Sequence, residues 1–255
     1  MRIRRLVALA IVTALLLSAM PVSAHDPHFE INDWGGIDNP YVIPYDPTVS
    51  FAMYAYLSDH DTDAIALDFK NAGDQLQAQL LVPICGKHYL DFYPQMAIVG
   101  PGLPVPSDLK TLPFDLPTGM GAQIIEMDQP DANGKRPTLY EDIGATTFYT
   151  APEVKMKVAQ AGRYYIVAWD KAGQTGDYTI ATGYKEQSVS PLPYVLSSIV
   201  LIRANHWLHR DCQKDPGDPA AMVQPDYKNV PDPFLPPATA VATTAATMSA
   251  TAQTQ

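Results

Sequence analysis

An all-β fold, a jelly-roll-like β-sandwich, is predicted by this sequence on three observations. Helix-length periodic stretches are almost absent between Phe29 and Lys185. Short apolar or alternating runs stand in their place, the period-two pattern of strands whose side chains point to opposite faces. Gly, Pro, Asn and Asp bound these runs, and the chain holds 24 prolines, the punctuation expected between the strands of a sandwich.

Residues 1–24 read as a signal peptide. Arg2, Arg4 and Arg5 form a basic tip, an apolar run follows from Leu6 to Met20, and Val22-Ser23-Ala24 supplies the small residues of a cleavage site. The apolar run is shorter than the about 20 unbroken residues of a membrane span. A cut after Ala24 makes His25 the first mature residue. It leaves 231 of the 255 residues and, with three arginines removed, takes the formal charge from −10 to −13. Such acidity repels nucleic acid and anionic membrane and argues against both as partners.

The strands follow in order. Thr48–Leu57 is the first. Ala64–Phe69 alternates, with Ile65, Leu67 and Phe69 on one face, and "NAGDQL" turns the chain into Gln75–Ile84. The run from Gln95 is stopped by Gly100-Pro101-Gly102, and the Pro-rich stretch Pro104–Thr118 is expected to be a long surface loop. Gly121–Met127 is a strand, and residues 128–137 are a charged loop with a turn at Asn133-Gly134. Thr146–Thr150, Glu153–Val158, Arg163–Trp169 and Asp177–Tyr184 complete the set. Lys155 and Lys157 alternate with Val154, Met156 and Val158, as a half-exposed strand requires.

Beyond Lys185 the pattern changes. Val195, Leu196, Ile199, Val200, Arg203 and Trp207 recur at helical spacing, and Pro193 suits a first turn, so Tyr194–Arg210 is expected to be a helix. It is too interrupted to span a bilayer. Packing on the sandwich is the leading expectation, and peripheral membrane contact through 194–210 is the alternative. The rest is broken by proline or is Ala/Thr low complexity, which buries too little apolar surface to offset its ordering entropy. The expected organisation is a signal peptide at 1–24, the β-sandwich at 25–190, a helical segment at 191–212 and a disordered tail at 213–255. The only cysteines, Cys85 and Cys212, are expected to form one disulfide, with two buried thiols as the rival reading.

Two stretches carry a family resemblance. In "AGRYYIVAWDKAGQTGDYTIA", Ala161-Gly162, Tyr164-Tyr165, Gly176-Asp177-Tyr178 and Ile180 resemble the end of a bacterial pre-peptidase C-terminal (PPC) domain. In "DTDAIALDFKNAGDQL", Asp61, Asp63, Phe69, Ala72-Gly73-Asp74 and Leu76 resemble its opening. The two bracket residues 59–183. The resemblance implies a jelly-roll-like sandwich of a family whose members are secreted, non-catalytic modules credited with substrate or surface binding, some of them binding calcium. The chain departs from that pattern in lacking an accompanying enzyme domain and in holding a long insertion over residues 85–160.

Three candidate sites stand out. His25 at a mature N-terminus could hold copper through its amine and its ring, with a second histidine completing the site. His28 is close in sequence, and Pro27 lacks the amide that a peptide chelate needs. His60, His88, His206 and His209 are the distant alternatives, and a frayed terminus is the plain reading. Asp59, Asp61 and Asp63 offer oxygen ligands at alternate positions, suited to calcium, against the plain reading of a polar turn. Trp34, Tyr41 and Tyr45 lie in a Gly- and Pro-rich stretch expected to be exposed and to bind a partner. No nucleophile elbow, zinc-protease helix or phosphate loop is present. The leading expectation is a secreted or periplasmic non-catalytic binding module for a protein, glycan or surface partner. An extracytoplasmic metal-binding protein is the alternative, and an extracytoplasmic enzyme whose site is assembled from distant strands is the third reading.

Overall fold

In the computed structural model of the chain, the residues described are 25–30, 35–84, 89–141, 146–187 and 189. The predicted signal peptide, Trp34, Cys85, Cys212, the helix expected over 194–210 and the tail lie outside them.

With strands numbered along the chain, a seven-stranded sheet runs in the order β1 (Asp26–Phe29), β3 (Phe51–Leu57), β12 (Gly176–Thr182), β5 (Gln75–Pro83), β9 (Thr146–Thr150) and β8 (Thr138–Glu141), with β10 (Val154–Lys157) also paired to β5. A five-stranded sheet runs β2 (Tyr41–Val42), β4 (Thr62–Phe69), β11 (Gly162–Trp169), β6 (Gln95–Pro101) and β7 (Met120–Glu126). Most neighbours are antiparallel. The edge strands β1 and β2 run parallel to β3 and β4, so both sheets are mixed. The fold is the all-β sandwich that the alternation predicts.

The period-two pattern builds the core. Phe51, Met53 and Leu57 of β3, Leu76, Leu80 and Val82 of β5, and Tyr178 and Ile180 of β12 face Ile65, Leu67 and Phe69 of β4 together with Met96, Ile98, Tyr164 and Ile166 of the smaller sheet. Each large apolar side chain so buried contributes about 1.5–3 kcal/mol. Close approach requires glycine at several positions, Gly100 and Gly183 among them. A Cβ on Gly100 would fall on the ring of Tyr164, and Gly183, at φ +77°, passes its backbone against the Val49 carbonyl.

The segment 104–118 is the surface loop expected, with most of its residues exposed, and a few of its side chains also cover the outer face of the smaller sheet. Leu112 is buried there and Phe114 meets Trp169 edge-on at 6.0 Å, above Ala64, Ala97, Val99 and Val167. The physical reason is that β4 and β6 are apolar on both faces, so one face of each needs a second partner.

Two expectations are corrected. The chain from His25 is not frayed: Asp26–Glu30 is buried, Asp26 N–H donates to Ser50 O at 3.0 Å and Glu30 N–H to Tyr54 O at 2.9 Å. Pairing with β3 satisfies the backbone, and that outweighs a composition poor in strand formers. Tyr41, expected to be exposed, is only 8% exposed because its short strand lies beside β4. Among the described residues no helix is long and apolar enough to cross a membrane.

Candidate functional site

The larger sheet turns its second face away from the core, and that face holds a cavity of about 190 Å³. Strand alternation selects the lining. Ala52 and Tyr54 of β3, Thr179 and Ala181 of β12 and Leu81 of β5 point outward, between the core positions named above. Ala52 and Ala181 are cross-strand partners. Two methyl groups side by side leave room that larger residues would fill. The hairpin of β8 and β9 supplies a wall, with Leu139 paired to Phe148 across it and Phe148 itself 1% exposed.

The sheet is strongly curled. β1 and β8 lie at opposite ends of its strand order, yet His25 and Pro27 from one side and Leu139 and Glu141 from the other line the same cavity. Electrostatics reports the same proximity. Burial pushes the His25 imidazole below its ordinary pKa, opposed by the carboxylates of Glu141 and Glu186. The phenol of Tyr54 is pushed up by burial first and by Glu141 second. A neutral imidazole is therefore favoured at the cavity mouth. At the rim, Glu153 accepts from Gln77 Nε2 at 2.6 Å and pairs with Lys155 at 2.7 Å. The lining is mainly apolar and the polar groups sit around it, the usual build of a binding pocket.

The β8–β9 hairpin is held from behind. The Arg136 guanidinium, just before β8, lies between the rings of Tyr93 and Tyr149, 4.1 and 4.0 Å from their centroids. Its Nη1 donates to the carbonyls of Tyr89 and Leu90, each at 3.4 Å. Cation–π contacts of this kind, desolvated, fix the hairpin over the outer face.

The predicted metal residues are placed as follows. His25 faces the outer cavity. His28, three residues on, faces the core, where it packs on Phe51 at 5.1 Å and Tyr41 Oη lies 3.4 Å from its Nδ1. The two imidazoles are thus on opposite faces of the sheet. Burial pushes the pKa of His28 down to about 3. Asp59 is exposed beside His60, which takes a left-handed φ of 56°. Asp61 Oδ1 accepts from the Thr62 N–H at 2.7 Å, and Asp63, fully buried, accepts from Tyr178 Oη at 2.7 Å. The three carboxylates serve three different environments. Among the described residues no group of three or more His, Cys, Asp or Glu side chains is placed to hold a metal ion. Of the aromatic candidates, Tyr45 is 36% exposed at the edge of a separate cleft, Tyr41 is buried, and Trp34 lies outside the described residues. Sequence reasoning missed the cavity itself. Its local signal is weak: Ala52 and Ala181 are small residues at outward positions of β3 and β12.

No family model matches the chain, and no curated protein matches it. Solved structures do. A periplasmic inhibitor of g-type lysozyme from Salmonella Typhimurium, PliG, aligns at 11% identity over 57% of this chain and 98% of its own, with a TM-score of 0.29. PliG of Aeromonas hydrophila aligns at 11% identity over 57% and 96%, with a TM-score of 0.30. CorA, a surface-associated copper-binding protein of Methylomicrobium album BG8, aligns at 11% identity over 63% and 98%, with a TM-score of 0.27. At these scores the likeness assigns neither ligand nor partner to this chain.

Proposed function

We propose that the protein is an exported, non-catalytic binding module that seats a compact apolar group of its partner in the cavity of the curled sheet. The observation that carries this reading is the cavity lining. Ala52, Leu81, Leu139, Phe148 and Ala181 form an apolar recess on the face of the sheet that does not build the core. Transfer of an apolar group from water into such a recess is favourable by roughly 25 cal/mol per Å². The Arg136 clamp and the β1 pairing pre-form both walls, which lowers the ordering cost of binding. Residues 1–24 and the resemblance of 59–183 to PPC modules support export and a binding role.

Toluene is the simplest probe of the recess. Titrated into the isotope-labelled protein, it is expected to shift the amide resonances of Ala52, Phe148, Thr179 and Ala181 in a saturable way. Ala181→Phe, which fills the space from its own side, is expected to abolish those shifts while the thermal midpoint stays near that of the parent. Toluene shifts that are absent, non-saturable or unchanged in Ala181→Phe contradict the reading.

A further inference from the structure

A second opening lies where the segment after β2, the β4–β5 turn and the residues after β12 meet. It is a cleft of about 470 Å³ and is separate from the cavity of the curled sheet. Two aromatic rings border it, Tyr45 and Tyr184, 36% and 42% exposed. The ring of Tyr45 is backed by Phe51, stacked at 6.3 Å, so its outward face is held in position.

Two carboxylates of the cleft are held in place. Arg163 grips Asp68 through both carboxylate oxygens, each at 2.7 Å. Asp46 Oδ1 accepts from Thr48 N at 3.0 Å and Thr48 Oγ1 at 2.6 Å, and Oδ2 from Lys185 Nζ at 3.2 Å. A carboxylate offers about four acceptor sites, so each of the two is immobilised with acceptor capacity remaining. Lys70 and Asn71 add donors beside them. The three carboxylates around the cleft, Asp46, Asp68 and Asp74, are matched by Lys70, Lys185 and the Asp68-bound Arg163, so the local charge is close to zero.

A pyranose ring has a flat face of C–H groups and a rim of hydroxyls that both donate and accept. The first packs on a phenol ring, and the second needs positioned acceptors and donors. The cleft presents both at once and carries no charge excess for a polyanion. We propose that this cleft is a saccharide subsite that takes neutral or N-acetylated pyranose rings, stacked on Tyr45 and Tyr184 and hydrogen-bonded through Asp46, Asp68, Lys70 and Asn71. This site is independent of the apolar cavity, and its failure leaves that reading intact.

The test is titration calorimetry on the full mature chain with maltotriose, cellotriose, tri-N-acetylchitotriose and, as a polyanion, trigalacturonate. Saturable binding of at least one of the neutral or N-acetylated sugars is expected. Tyr45→Ala and Tyr184→Ala are each expected to weaken it about five- to tenfold, whereas Tyr45→Phe retains it. Both tyrosines are partly exposed, so an unchanged circular dichroism spectrum is expected to accompany the loss. Absence of binding by all three neutral sugars overturns the proposal. So does tighter binding of trigalacturonate, or alanine variants that bind as the parent does.

Discussion

His28 is the residue at which the fold makes its most readable chemical demand. It is 2% exposed between the sheets, and burial pushes its pKa from 6.5 to about 3. The folded-state value lies below the unfolded one, so the unfolded chain takes up this proton first as pH falls. The stability contributed is complete above pH 6.5 and is lost as pH falls from there toward 3. The slope is about 1.4 kcal/mol per pH unit, so between pH 7 and pH 5 the loss is about 2 kcal/mol. Urea denaturation at the two pH values should show that loss in the parent and its near absence in His28→Gln, relative to the other titrating groups that both share. Equal pH slopes in the two proteins contradict the assignment. The sequence alone could not reveal this burial. A histidine in "AHDPHFE" has the neighbours of a loop residue, and what buries it is Phe51 and Tyr41, which arrive from β3 and β2.

Elements were legible where a period could be counted. β3 to β7 and β9 to β12 each carry an alternating or continuous apolar run, and each is a strand. β1, β2 and β8 carry no such run. They are four, two and four residues long, β1 and β8 contain Asp, Pro, His or Glu and β2 is too short to show a period, so each depends on a longer neighbour that offers its free edge. The Asp59–Asp63 stretch shows the same limit for a site. Asp63 reads locally as one of three loop ligands, but its carboxylate turns into the core to accept from Tyr178, 115 residues later, across the two sheets. Tyr178→Phe removes that donor from a fully buried carboxylate and is expected to cost about 1.5–3 kcal/mol in chemical denaturation, with the sandwich retained. A loss below about 0.5 kcal/mol would mean that the contact does not help to join the sheets.

At the scale of the whole molecule, the two outer faces of the sandwich are finished in different ways. Leu112 and Phe114 close one with a proline-rich strap. The other is curled until residues from its two edge strands, β1 and β8, border one recess. The alternation predicts two layers; it does not reveal how the strands pair, such as the split of one side of β5 between β10 at Gln75–Ala78 and β9 at Leu81–Pro83. The binding role rests on that recess being a real apolar space in the mature protein. Crystals of the protein under xenon pressure test this most directly, because dry cavities of this order admit the gas. The account predicts an anomalous peak enclosed by Ala52, Leu81, Phe148 and Ala181. Crystals that take up xenon only in the core between the sheets, or only at the surface, would contradict it.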